Sequence, residues 1–287
     1  MRLEAARRCA GFTLVELVVA MVIFGIIGAS VATFFVPAVA AWIDTRTRAE
    51  LSDQADTALR RILGDVRVAV PNSIRSPNTT CFELVPTSAG GRLRKAADTV
   101  NPGSMALDTS AASTGFDVLS PLSKLPSVGD WVVLDNQNPG DVYSGANRAL
   151  ITAISTPAAS LGKHRIGVAT TQFPLGYDGG RFVVVPNAQG AVFYVCSGAD
   201  GSTNSAGDGK GTLYRLMNYG FNAAMPAACP STVGAAVLAT RIKSCRFVYD
   251  PNQGATQQNG FVSVQLELAR SGESASLLLG AHVDNVP

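Results

Sequence analysis

Three features predict an α+β fold, in which one long N-terminal helix packs on a mostly antiparallel β-sheet head with long loops. From Leu17 to Ile43 run 27 residues without a charged side chain, more than the roughly 20 apolar residues that a bilayer-crossing helix requires. Helical spacing of apolar residues then resumes from Leu51 to Ala69. Beyond Asn72 the chain changes to short runs rich in β-branched and aromatic residues, separated by turn residues.

The first element is the apolar span. Arg2, Arg7 and Arg8 precede it, and positive flanks stay on the cytoplasmic side, so the chain after Ile43 is expected outside. Glu16 stands near its start, and a carboxylate at membrane depth is costly unless it has a partner. A secretory signal peptide would use Ser30-Val31-Ala32 as its small-x-small site, but the apolar stretch is too long and Glu16 interrupts its beginning. A lipoprotein signal fails because Cys9 follows two arginines instead of an apolar run. A plain membrane anchor explains the length but neither Gly11 nor Glu16. Gly25 with Ala29 and Gly28 with Ala32 place small residues four apart, the spacing at which helices approach closely. Pro37 removes a backbone donor and predicts a kink or local opening.

The second element continues the first. Leu51, Ala55, Ala58, Ile62, Val66 and Ala69 recur at three- and four-residue intervals, with Arg48, Asp53, Asp56, Arg60, Arg61, Asp65 and Arg67 mostly between them. Pro71-Asn72 is a natural stop. A single helix from about Phe12 to Val70 would run roughly 90 Å at 1.5 Å per residue.

The strands follow. DWVVL (130–134), RALITAI (148–154), RFVVV (181–185), AVFYVC (191–196), TLYRLM (212–217), CRFVYD (245–250) and FVSVQLELA (261–269) all read as β. The last alternates Val262, Val264, Leu266 and Leu268 with Ser263, Gln265 and Glu267. PNAQG (186–190) and RSGES (270–274) read as hairpin connections. Residues 89–120 and 197–211, rich in Gly, Ser, Ala and Asp, read as loops.

Composition narrows the chemistry. Lys and Arg number 23 against 21 Asp and Glu, and cutting after Gly11 leaves 20 of each, so no global charge favours nucleic acid. Of five cysteines, Cys9 lies ahead of that cut, and Cys81, Cys196, Cys229 and Cys245 remain. An even count outside the cytosol suggests two disulfides in one of three connectivities. Cys196 and Cys229 bracket the polar loop, which favours pairing them and leaves Cys81 with Cys245. No CxxC is present, neither His164 nor His282 lies near a cysteine, and no metal or other cofactor is expected. Asp200, Asn204 and Asp208 do not have EF-hand spacing. GDGKG lacks the first glycine and the Ser or Thr of a phosphate loop. GxSxG and HExxH do not occur, and the expectation is a protein that is not an enzyme.

Gly11-Phe12-Thr13-Leu14-Val15-Glu16 resembles the class III signal of type IV pilins and type II secretion pseudopilins. The resemblance implies cleavage after Gly11 by a prepilin peptidase and N-methylation of Phe12. Cleavage also creates an α-amino group, and a carboxylate facing an ammonium in low dielectric is strongly attractive. In the resembling families this glutamate meets the amine of a neighbouring subunit. Residues 48–75, 81–98, 129–134 and 244–250 are similar to the MshO family of minor pilins of the mannose-sensitive haemagglutinin (MSHA) pilus. The expected layout is a leader at 1–11, a transmembrane assembly helix at 12–43, its amphipathic continuation at 44–71, and a periplasmic head at 72–287. Expected partners are the inner membrane, prepilin peptidase and other pilin subunits, with no nucleic acid. A type II secretion pseudopilin and a pilus-tip adhesin, with its polar loops as the binding surface, are the alternative functions.

Overall fold

The computed structural model describes residues 11–177, 179–253 and 259–285. The leader features Arg2, Glu4, Arg7, Arg8 and Cys9 lie outside the described residues. The fold is α+β. It divides into two compact units, with the boundary between Ala49 and Glu50.

Within the first unit, helix α1 (Leu14–Arg67) begins and its assignment passes through Pro37 without a break. An 18-residue window of mean hydropathy 2.5 makes α1 long and apolar enough to cross a membrane. The large apolar side chains of this unit are exposed, Phe12, Phe24, Phe34 and Trp42 among them. The few hydroxyls on this stretch bond back to the helix: Ser30 Oγ donates to the Ile26 carbonyl (2.8 Å) and Thr33 Oγ1 to that of Ala29 (3.0 Å). Such back-bonding satisfies polar groups where water is absent. Arg46 lies 5.7 Å from the centre of the Trp42 ring, a cation and an aromatic ring at the end of the apolar stretch.

In the second unit the later turns of α1 bury Leu51, Ala55, Ala58, Leu59, Ile62, Leu63 and Val66. The helix ends at Arg67, four residues short of the predicted boundary, because Val68 and Val70 are already drawn into strand-like pairing: Thr87 N donates to the Val68 carbonyl and Val70 N to that of Val85 (both 2.8 Å). The buried stripe packs on a seven-stranded antiparallel sheet in the order β1 (Arg75–Asn78), β2 (Cys81–Leu84), β9 (Val192–Ser197), β10 (Gly211–Leu216), β11 (Ala236–Gln253), β12 (Asn259–Arg270), β13 (Glu273–Asp284). Its inward side chains include Phe82, Tyr194, Leu213, Phe247, Val264 and Leu266.

The head holds a second sheet that the sequence reading did not separate. Six strands, β3 (Ala89–Arg92), β4 (Ser113–Val118), β5 (Trp131–Val133), β6 (Arg148–Ser155), β7 (His164–Thr171) and β8 (Arg181–Val185), pair in the order β3-β8-β5-β6-β7-β4. Its two edges meet, since Leu93 bridges Val118, Arg94 N donates to the Asp117 carbonyl (2.9 Å) and Leu119 N to that of Arg92 (2.8 Å). The strands therefore close on themselves around Phe116, Val132, Ile151, Ile166, Phe182 and Val184, which removes both exposed edges. This barrel is inserted between β2 and β9, neighbours in the first sheet. Residues 89–120 thus contain β3 and β4 and are not wholly loop. PNAQG is no hairpin but the passage from barrel to first sheet, with Gln189 N and Gly190 N both turning onto the Pro186 carbonyl. RSGES does form the β12–β13 hairpin, with Arg270 opposite Glu273 and Ser271-Gly272 both at positive φ, the backbone a two-residue hairpin turn requires.

A one-turn helix α2 (Asp141–Ser144) and a third cluster of Val70, Val85, Val133, Val142, Tyr143, Val185 and Ala191 fill the seam between barrel and sheet. Beside it, Arg75 lies 3.5 Å from the Tyr143 ring centre and pairs with Glu83, whose other oxygen accepts from the Tyr219 hydroxyl (2.6 Å). Burial, and then the Glu83 charge, push the Tyr219 hydroxyl well above its ordinary pKa.

The disulfides are Cys81–Cys229, with Cα atoms 5.8 Å apart, and Cys196–Cys245, with Cα atoms 6.5 Å apart. This corrects the expected pairing of Cys196 with Cys229 and of Cys81 with Cys245. The reason is strand parity: successive side chains point to opposite faces. Phe193 and Val195 share the outer face with Cys81, where the segment carrying Cys229 lies, whereas Tyr194 and Cys196 face α1. Cys196 meets Cys245 because β10 begins only at Gly211, and there β11 closes on the β1–β2 turn. Phe247 N donates to the Thr79 carbonyl (2.8 Å) and Cys196 N to that of Thr80 (2.9 Å).

Candidate functional site

Gly11, Phe12 and Thr13 are exposed and lie ahead of the first helical turn. Phe12 is 86% exposed, and a side chain at Gly11 would meet nothing within 4 Å. Both residues of the predicted cleavage bond are thus open on this unit.

Glu16 has a local role that the sequence reading missed. Thr13 and Glu16 form a reciprocal cap: Glu16 N donates to Thr13 Oγ1 (3.2 Å), while Thr13 N (2.9 Å) and Thr13 Oγ1 (3.0 Å) both donate to Glu16 Oε2. This is the capping box, in which an N-terminal Thr and a Glu three residues later satisfy donors that the first turn leaves open. The spacing T-x-x-E was present in the sequence and signalled it. The cap occupies one carboxylate oxygen and leaves the charge in place. Glu16 Oε1 has no hydrogen bond among the described residues.

Gly25, Gly28, Ala29 and Ala32 are exposed on the helix, and a Cβ at either glycine would meet nothing within 4 Å. Of the described residues singled out, only the four cysteines are brought together in pairs; Glu16 and the small residues lie along one exposed helix, with Phe12 just ahead of it.

The head's polar residues are engaged structurally. Asp65, whose position in the helical pattern reads as outward, is buried and accepts from Arg215 Nη2 (2.7 Å), Arg215 Nε (2.9 Å) and the Tyr194 hydroxyl (2.6 Å). Asp200 accepts from the Ser202 amide and hydroxyl, Asn204 from the Ala206 and Asp208 amides, and Asp208 from the Ser271 amide. The bonds to Asp200 and Asn204 close local turns and that to Asp208 ties the loop to the β12–β13 hairpin, and among the described residues no three His, Cys, Asp or Glu side chains group as metal ligands would. His164 opens β7, and His282 of β13 meets the Phe261 ring of β12 at a tilt, with ring centres 5.0 Å apart.

Comparison with curated proteins and with solved structures finds no match. A family model does match: residues 6–32 fit the prokaryotic N-terminal methylation motif. The matched segment contains Gly11, Phe12, Glu16, Gly25, Gly28, Ala29 and Ala32, so the chain carries, at the start of its exposed apolar helix, the N-terminal motif of type IV pilin-like proteins.

Proposed function

We propose that this chain is a minor pilin of an MSHA-type type IV pilus. Prepilin peptidase cuts after Gly11, and Phe12 becomes the methylated N-terminus. Residues 12–43 hold the subunit in the inner membrane, and the head, residues 72–287, lies in the periplasm until the subunit enters a pilus. There it serves assembly, priming or tip capping as a non-enzymatic subunit beside other pilins. Glu16 pairs with the amine of a neighbouring subunit, and the Gly25, Gly28, Ala29 and Ala32 stripe lets helices approach.

The observation that carries this reading is the methylation motif on a helix whose early turns expose an apolar surface and whose late turns bury theirs against a sheet. The barrel inserted between β2 and β9 supports a specialised subunit over an abundant shaft subunit, since it adds bulk beyond the sheet that the helix needs. Mass spectrometry of membrane-purified protein tests the proposal. Wild type is expected to begin at N-methylated Phe12, and Gly11→Arg, which fills the peptidase subsite, to retain residues 1–11. A mature start near Val31 or Thr33 would establish an ordinary signal peptide and remove the reading.

A further inference from the structure

Where the end of α1 meets the outer surface of the barrel, the head has a cleft of about 520 Å³, within the range of small-molecule sites. Its lining comes from distant stretches of chain: Arg67 in the last turn of α1, Arg92 ending β3, Arg181 opening β8, and the segment after β5. The three guanidiniums are exposed, and among the described residues none makes an ion pair. That contrasts with the arginines the fold uses internally. Arg75, Arg94, Arg165 and Arg215 each lie within 3.7 Å of a carboxylate. Two carboxylates also line the cleft, Asp135, which accepts from Gln137 Nε2 (2.6 Å), and Asp284, which has a partner, so three arginines face two acids and the balance stays positive.

The floor is shaped to admit a ligand. Gly90 is exposed on the lining, and a Cβ there would sit 3.1 Å from the Phe182 carbonyl and 3.4 Å from Val183 Cγ1 of the paired strand β8, so a side chain would press on β8 and occupy the floor. The Tyr177 hydroxyl accepts from Arg181 N (3.1 Å) and donates to the Arg181 carbonyl (3.0 Å), which fixes the backbone from which Arg181 projects. An arginine offers a planar fork of donors matched to a carboxylate. Three of them around a glycine floor suit a ligand with several carboxylates and a flat or apolar face toward Val183.

We propose that this cleft binds a small polycarboxylate through Arg67, Arg92 and Arg181. The same chemistry is offered by an acidic oligosaccharide and by a small organic polyacid. The proposal concerns the second compact unit alone and does not depend on N-terminal processing.

The test is isothermal titration calorimetry of the full chain in neutral detergent with trigalacturonate and with citrate, using maltotriose as the uncharged control. At least one anion is expected to bind saturably with one site per chain, more weakly as salt is raised. Tighter binding of trigalacturonate assigns the sugar source, and tighter binding of citrate the organic acid. Arg92→Gln combined with Arg181→Gln should weaken binding at least tenfold, and Gly90→Leu should block the floor while leaving all three charges. Arg246→Gln, exposed on β11 outside the cleft, should bind as wild type. Circular dichroism checks that each variant is folded. The proposal is overturned if neither anion binds up to about 1 mM, if maltotriose binds equally well, if only a polyglutamate peptide binds, or if the folded arginine and Gly90 variants bind as wild type.

Discussion

Replacing Asp65 by alanine tests whether a buried charge network ties α1 to the first sheet. Asp65 Oδ2 accepts three hydrogen bonds, two from Arg215 and one from Tyr194, and the Arg215 and Asp65 side chains are 6% and 9% exposed. Removing the carboxylate leaves the guanidinium buried without its counter-ion, a loss of about 3–5 kcal/mol in comparable pairs. Arg215 keeps two oxygen acceptors, Gln189 Oε1 at 3.0 Å and the Tyr194 hydroxyl at 3.2 Å, which places the expected loss near the lower end, about 3 kcal/mol. For a unit of this size each kcal/mol moves the melting temperature by about 2–4 °C, so a fall of about 6–12 °C is expected. The measurement is thermal unfolding of the full chain in detergent, followed by near-ultraviolet circular dichroism. Replacing both charges, Asp65→Leu with Arg215→Met, should cost less than Asp65→Ala alone, because no orphaned charge remains. If Asp65→Ala melts within about 2 °C of wild type, at most about 1 kcal/mol on this scale, or if the double substitution loses as much as the two single ones together, the network does not hold the helix.

Non-reducing peptide mapping should join the peptide of Cys81 to that of Cys229 and the peptide of Cys196 to that of Cys245; a Cys196–Cys229 link would refute the face assignment. Opening the Cys196–Cys245 bridge, which closes a separation of 49 residues, should cost about 4 kcal/mol in the chain-entropy account. The Glu267 carboxyl is held below its ordinary value of 4.5, chiefly by the hydrogen bond from Lys243 and less by that from Ser244. A lowered folded pKa gives stability that is complete above the unfolded value and fades as pH falls through the folded one. Lys243→Met should therefore narrow the gap in melting temperature between pH 7 and pH 3, and an unchanged gap would reject this coupling. At the N-terminus, Glu16→Gln retains the cap, which accepts Glu or Gln, but deletes the charge, whereas Glu16→Ala removes both. If the charge serves assembly, both variants should be cleaved normally and both should enter pili poorly; normal incorporation of Glu16→Gln would leave capping as the sole role of Glu16.

Local pattern was sufficient for much of this protein. The uncharged stretch from Leu17 to Ile43, the apolar recurrence from Leu51 to Val66 and the T-x-x-E spacing act within a few residues of themselves. The helix and its buried stripe were therefore legible, and the cap, though missed, was equally so. All seven predicted strands are present, since β-branched and aromatic runs have few other stable environments.

Three features depend on pairing between distant residues, and tertiary structure alone decides them. Strand β3 is Ala-Gly-Gly-Arg, a poor strand former by composition, and is extended because β8 pairs with it and β4 closes beside it. Asp65 reads as a solvent-facing charge until the cross-strand pair Tyr194 and Arg215 is set beneath it. Cysteine connectivity follows the face to which each strand turns its side chains, and a one-residue change of register would reverse it. The motif that points to function works through adjacent residues and is visible in sequence, whereas the cleft draws Arg67, Arg92 and Arg181 from a helix end and two barrel strands, and only the β3–β8 pairing beside the end of α1 brings them together.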